Sequence, residues 1–328
     1  MSPTRDDVAR RAGVSVAVVS YVVNGGPRPV AAATRERVLR AIEELGYRPD
    51  GVARQLRTGK SNSFGLVVPD LGLPHFGEMT QMLTRLAARQ GYQLLVASTE
   101  WDLEAERAQL SLMADRRVDG VILMSVDPRQ DMGWLERLRV PVVVVDRPTA
   151  AVKSSEAAVE HLVWHGHERI GFVTGSLGVL AIQRRQSGWE AAMRTAGLTL
   201  DPDLVVPTEI SRAGGYDASK RLLTQPNPPT GVCVDSDAQA VGFLRAAKDL
   251  GVAVPGDLGL VSCEGTTMAQ FAVPSITTVE VPREDIAAEA LAALVEERAD
   301  WLRVVSNEGF HLVRRESCGC VATPVSTR

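Results

Sequence analysis

The feature that most constrains this chain is a rhythm that begins after Ser61. Apolar runs rich in β-branched residues alternate with longer stretches of helical period. The runs read "FGLVVPD", "QLLVAST", "DGVILMS", "PVVVVDR", "RIGFVTG", "LVVPTE", "TGVCVDS", "LGLVSCE" and "ITTVEVP". Phe76–Gln90, Ala181–Ala196 and Ala238–Leu250 are among the helical stretches. A strand with one wet face alternates polar and apolar residues, whereas a continuous apolar run is buried on both faces. Parallel sheets covered by helices have that property. Nine runs over about 220 residues suit two doubly wound α/β halves better than one.

Several runs end in polar residues: Asp70, Ser98-Thr99, Ser125, Asp146-Arg147, Glu209, Asp235-Ser236-Asp237 and Glu264. Taken singly, each is a good cap for the helix that follows. As a set they predict a polar cleft, because open α/β sheets bind ligands at the carboxyl ends of their strands.

The first sixty residues are different. They carry eleven Lys and Arg against six Asp and Glu, a balance of +5, while the whole chain stands at −4. A basic head on an acidic body points to a polyanionic partner. Thr4 is a candidate N-cap, with Asp6 and Asp7 at the positive end of a first helix whose Val8, Ala9 and Ala12 share a face. Gly13 allows a tight turn, and Ser15 is a candidate N-cap for a second helix with Val18, Val19, Val22 and Val23 as core. Asn24-Gly25-Gly26-Pro27 stops it. A third helix places Val38, Ala41, Ile42 and Leu45 on one side and ends at Gly46. Helix, glycine turn, helix and supporting helix is the layout of a helix-turn-helix DNA reader.

The pattern "DVARRAGVS…VVSYVVNGG" followed by "TRERVLRAIEELGYRPDGVARQLRTGKS" resembles the headpiece of the lactose-repressor (LacI) family over residues 4–61. The resemblance implies that the helix beginning at Ser15 enters the major groove, with Val16, Ala17 and Tyr21 at base-reading positions. Tyr21 stands where many members carry arginine, and Val16 and Ala17 offer thymine methyls only apolar contact. Ser15, Ser20, Asn24 and Thr34 fall at phosphate-positioning sites, and Thr4 is a further DNA-binding residue. Ala31 replaces a frequent capping serine. Pro49 breaks any continuation of the third helix. Residues 50–57, including Ala53 and Leu56, match a hinge helix that folds when two copies pair on DNA, with Leu56 wedged into the minor groove. "TGKS" lacks the glycine of a phosphate-binding loop, since Arg54 stands in its place.

The resemblance continues more loosely over residues 62–320, through "GLVVPDLGLPHFGEM", "RRVDGVILM", "VPVVVVDR", "PPTGVCVDSDAQAVG", "VPSITTVEVPREDIAAEA" and "VRRESCG". It implies an effector domain with the fold of periplasmic sugar-binding proteins. Phe76 then matches a pocket aromatic, Asp146 a carboxylate near the ligand, and Arg185 the arginine anchoring ligand oxygens. Asp237 and Glu264 match polar contacts from the second half, and Ile210 falls where an aromatic often stacks on the ligand ring. Ser236 replaces a frequent asparagine, and Glu264 a usual aspartate. The implied domains are a headpiece (1–48), a hinge helix and linker (49–61), and an effector-binding and dimerisation domain (62–328). Its first half covers about 62–151 and 282–304, its second about 152–281 and 305–328. "TTVEVP" is expected to return to the first half, bringing Arg283–Asp300 beside residues 62–150. Met79, Met82, Leu83 and Leu86 face either a dimer partner or their own core.

The implied function is a cytoplasmic, sequence-specific transcriptional regulator, a repressor controlled by a small polar effector, a sugar. Its partners are pseudo-palindromic operator DNA and a second copy of the chain, since the tail "VATPVSTR" has no leucine heptad for tetramers. Asp6 and Asp7 stand where a secretory signal would be apolar, which argues against a solute-binding protein. No run is long enough to span a membrane. An enzyme is disfavoured: no nucleophile–base pairing, phosphate loop or metal-spaced cluster among the five histidines is apparent, so no cofactor or metal is expected. The four cysteines suit a reducing compartment rather than a disulfide framework. Cys318-Gly-Cys320 has the spacing of half a metal site, but no second pair stands near it in sequence.

Overall fold

The computed structural model describes residues 3–24, 29–48, 55, 58–127, 130–145, 148–175, 180–296, 301–305 and 309–320. Contacts divide the chain into two compact units, residues 1–61 and 62–328.

The smaller unit is built on α1 (Arg5–Ala12), α2 (Val16–Asn24) and α3 (Ala32–Leu45). Thr4 caps α1 reciprocally: its hydroxyl accepts from the Asp7 amide at 3.3 Å, and the Asp7 carboxylate accepts from the Thr4 amide at 2.9 Å. Gly13 takes φ 65°, a left-handed turn that a side chain would strain. Ser15 Oγ accepts from the Val18 amide at 3.3 Å and so caps α2, whereas Ala31 gives α3 no side-chain cap. Helices this short are marginal alone, so packing holds them. Val8, Ala9, Ala12, Val19, Val22, Val38, Ala41 and Tyr47 form the core, with Val18 and Val23 against it.

In the larger unit each of the nine apolar runs contains a strand. The first sheet comprises β1 (Ser63–Val68), β2 (Gln93–Ser98), β3 (Gly120–Leu123), β4 (Val142–Val145) and β10 (Leu302–Val305), all parallel, in the order β10-β4-β3-β1-β2. The second comprises β5 (Ile170–Gly175), β6 (Val205–Thr208), β7 (Gly231–Val234), β8 (Gly259–Ser262), β9 (Thr277–Glu280) and β11 (His311–Val313), in the order β11-β9-β8-β7-β5-β6, with only β11 antiparallel. The helices are α4 (Pro74–Arg89), α5 (Leu103–Asp115), α6 (Pro148–Trp164), α7 (Leu180–Thr195), α8 (Arg212–Leu223), α9 (Asp237–Asp249), α10 (Thr267–Phe271) and α11 (Arg283–Val295). In each sheet the winding reverses beside the first strand, between β1 and β3 and between β5 and β7. Those reversals open crevices at the strands' carboxyl ends.

One expectation is corrected. The segment "TTVE" does not return to the first half: β9 stays in the second sheet, pairing with β8 and β11. The return comes just after it, through α11, whose Ile286, Ala287, Ala290, Leu291 and Leu294 share a core with Leu66, Met79, Leu83 and Ile122. Met82 and Leu86 pack against that same core, so the apolar face of α4 serves its own half. Among the described residues no helix is long and apolar enough to cross a membrane.

Candidate functional site

On the smaller unit, the face away from the core is set by the helical period of α2. Val19 and Val22 point inward, leaving Ser15, Val16 and Ala17 exposed together at the start of the helix. Ser20 and Tyr21, one turn on, are half-buried, as is Thr34 in the first turn of α3. Thr4 is exposed, but its hydroxyl already serves the α1 cap. Asn24 closes α2. Ala53 and Leu56 lie outside the described residues. Arg10, Arg11 and Arg40 form surface ion pairs with Asp7, Glu44 and Glu36. Arg35, Arg37 and Arg48 are exposed and form none among the described residues, so the unit keeps unneutralised positive charge.

In the larger unit, residues at the carboxyl ends of both sheets line one cavity of about 160 Å³. The first half contributes Pro69, Leu73, His75, Phe76, Met79, Trp101, Met124, Ser125 and Val145, and the start of α6 adds Ala151. Its aromatic groups interlock edge to face, Phe76 with Trp101 at 5.9 Å between ring centroids and with His75 at 5.2 Å. Trp101 and its neighbour Glu100 both hold positive φ, 64° and 51°, after β2. For a bulky side chain that is a strained conformation of the kind kept at binding sites.

The second half contributes Ile182, Arg184, Arg185, Ile210, Asp235, Ser236 and Glu264. Arg185 Nη1 donates to Asp235 Oδ1 at 2.8 Å, and its side chain retains 20% exposure against 2% for Asp235. Arg185 Nε is buried and has no hydrogen-bond partner among the described residues. Burial raises the Asp235 carboxyl above its ordinary range, and the adjacent guanidinium works against that shift. Arg185 is positioned from behind: its carbonyl accepts from Ser155 Oγ of α6 at 2.6 Å. The close approach of α7 to α6 requires Gly188, where a Cβ would lie 2.1 Å from Val152 O.

Glu264 is pushed up to about 8, chiefly by burial and then by the Asp237 carboxylate, while Arg185 and the Asp237 amide oppose the shift. Asp237 itself is not in the cavity. Its carboxylate accepts from the Thr266 amide and hydroxyl and from Ser262 Oγ, and is fully buried. Asp237, expected at a ligand contact, is thus absent from the cavity lining, which Asp235 of the same segment joins beside Glu264. Ser236 caps α9, turning the chain between the two aspartates so that they face different ways.

Across the halves, Glu78 Oε1 of α4 accepts from the amide and hydroxyl of Thr267 at 2.8 and 2.6 Å. Arg283 pairs with Glu78 at 3.4 Å and donates to Glu264 O at 2.9 Å. This latch ties the backbone of Glu264 to the first half.

Of the expected effector residues, Phe76, Arg185, Ile210 and Glu264 converge on the cavity, and Asp146 lies outside the described residues. Trp101 and Asp235 complete it. Both follow strand ends, which is the signal that finds Asp235 and, extended by two residues past Ser98-Thr99, finds Trp101.

Residues 4–50 match the family described as bacterial regulatory proteins, lacI family, and residues 159–318 match the periplasmic binding protein-like domain. The HTH-type transcriptional repressor PurR of Yersinia enterocolitica is 33% identical over 306 residues, 89% of each chain. Among solved structures, a transcriptional regulator CelR–cellobiose complex is 28% identical, with a TM-score of 0.68 over 96% of this chain and 99% of that one. A lac repressor dimer bound to operator and an anti-inducer has the same fold, with a TM-score of 0.85 at 24% identity over 97% of this chain and 99% of that one.

Proposed function

The chain belongs to the lacI family of bacterial regulatory proteins and is a DNA-binding transcriptional repressor, and we propose that a small carbohydrate held in the cleft sets its grip on operator DNA. The observation that carries the effector reading is the pairing, across one cavity, of an aromatic shelf with a buried arginine–carboxylate pair. Phe76 and Trp101 offer apolar ring faces; Arg185 and Asp235 offer a charged donor and acceptor for vicinal hydroxyls. The absent aromatic at Ile210 is offset by the shelf on the opposite wall. The cellobiose-bound relative supports the same class. The cleft is a binding site, not a catalytic one.

On the smaller unit, Val16, Ala17 and Tyr21 read base edges, Ser15, Ser20, Asn24 and Thr34 position phosphates, and Thr4 is a further DNA-binding residue. Ala53 and Leu56 belong to a hinge that folds on DNA. The protein acts as a cytoplasmic homodimer, in keeping with exposed Leu95 and Val96 on edge strand β2 and Leu112 on α5. Effector binding biases the orientation of the two halves, and through it the pairing of the hinges.

The test is a thermal-shift and calorimetric panel of mono- and disaccharides beside nucleosides, followed by operator binding with each hit. A carbohydrate that stabilises wild type, and binds Arg185→Ala at least tenfold more weakly, is expected. Stabilisation by nucleosides alone would overturn the carbohydrate reading. Operator affinity unchanged by a tight ligand would overturn control through the cleft.

A further inference from the structure

His161 and His165 stand four residues apart at the end of α6, and the His165 amide donates to the His161 carbonyl at 3.2 Å, so both rings project from one helical face. More than 150 residues later, the short helical turn Glu316–Cys318 and the left-handed Gly319 (φ 88°) bring Cys318 and Cys320 against that face. His161 Nε2 lies 3.2 Å from Cys318 Sγ and 3.6 Å from Cys320 Sγ, and His165 Nε2 lies 3.3 Å from Cys320 Sγ. All four ligand-type atoms fall within 4.8 Å of one another, the one such group among the described residues. The expectation that the Cys-x-Cys pair lacks partners is thereby corrected.

The three His–Cys distances, 3.2, 3.3 and 3.6 Å, are close to those around an ion, and the wider pairs, up to 4.8 Å, would draw in on binding. Zinc bonds of about 2.0–2.1 Å to nitrogen and about 2.3 Å to sulfur give a tetrahedron with edges of roughly 3.3–3.8 Å. We propose that His161, His165, Cys318 and Cys320 form a closed tetrahedral site for a zinc-class divalent ion. Two imidazoles and two thiolates select a borderline-soft metal over magnesium or calcium, which take oxygen ligands. The two thiolates balance the ion's charge, which matters because Arg314 lies over the Trp164 ring that stacks on His161. Thr277 Oγ1, 2.9 Å from Cys318 Sγ and 3.1 Å from the Arg315 carbonyl that accepts from it, touches that sulfur from outside the ligand shell. Four ligands leave no open position, so the ion is structural: it staples the segment after β11 to α6, beside the core that holds Val159, Leu162 and Cys318.

The full-length protein, purified with reductant and stripped with chelator, would be titrated with Co²⁺ and then Zn²⁺. We expect one cobalt per chain, with the intense visible bands of tetrahedral coordination and a thiolate-to-cobalt charge-transfer band, both erased by zinc. The melting temperature should rise with zinc and fall back with chelator. Cys320→Ser and His165→Gln, both at the half-buried rim, should remain folded and lose affinity by about a hundredfold or more, beyond what loss of an outer-shell partner costs. Folded, reduced protein that takes up no cobalt would overturn the proposal. So would cobalt bound without the charge-transfer band, or with affinity unchanged in Cys320→Ser. A Cys318–Cys320 disulfide found in the reductant-purified protein would replace it.

Discussion

The first half of the larger unit meets the cleft with Leu73, Phe76, Met79 and Trp101; the second meets it with Arg185, Asp235 and Glu264. Both halves have a parallel sheet wound in both directions, with the cavity at the strands' carboxyl ends. The interior of each sheet is filled by interchangeable Val, Ile and Leu, so the fold places few demands on what stands at the strand tips. Charge at a tip, however, needs support behind it. Arg185 is held by Ser155 and by the close helix packing at Gly188, and Asp235 by Arg185. The aromatic wall needs only neighbours of the right shape.

The two walls should therefore respond differently to substitution. Asp235→Ala leaves a buried guanidinium without its partner and should cost about 3–5 kcal/mol of stability. Adding Arg185→Met should recover much of that loss, and denaturant melts of the single and double variants would measure it. A double variant no more stable than Asp235→Ala would show that the pair is not the support we describe.

The next effect is pH-dependent. Glu264 holds its proton to about pH 8 in the folded chain, against an ordinary carboxylate value of 4.5 when unfolded. The folded state binds the extra proton across that interval, so stability is full below about 4.5 and falls as pH rises through 8. The loss should approach ~3 kcal/mol, somewhat below the full linkage value. Glu264→Gln should flatten that slope; equal slopes in the two proteins would place the ionisation elsewhere.

On the aromatic wall, Trp101→Gly removes a ring but also a left-handed strain worth about 1–2 kcal/mol. Melting temperature should change little, while effector affinity falls by about tenfold. A large stability loss without an affinity change would make Trp101 a packing residue and erase the contrast between the walls.

The smallest effect concerns the latch between them. Glu78→Gln weakens two hydrogen bonds to Thr267 and the pair with Arg283, and should cost roughly 1 kcal/mol. If the latch favours one arrangement of the halves, effector affinity should shift with it. Calorimetry showing stability altered and affinity fixed would confine the latch to a structural role.

The sequence by itself determined the division into a basic helical head and an α/β body, the nine main strands, and the helix caps at Thr4 and Ser15. These are local signals: burial on both faces writes a continuous apolar run, edge strand β2 with its exposed Leu95 and Val96 being the exception, and a cap is read within four residues. It also located the strand tips, Glu264 among them, whereas Phe76, Arg185 and Ile210 were indicated by the family resemblance, Phe76 and Arg185 lying on α4 and α7. Tertiary structure decided the remainder. Strands β10 and β11, "LRVV" and "HLV", are mostly exposed or half-buried and lie outside the nine apolar runs, and take their form from the edges of β4 and β9. Asp235 and Asp237 carry the same side chain two positions apart, yet only the turn capped by Ser236 sends one to the cleft and the other against Ser262 and Thr266. The histidine and cysteine pairs are each readable locally, but no local rule joins residues 161 and 318. Their meeting depends on the chain crossing to the first half after β9 and returning as β11, paired with β9, which only the assembled sheets decide.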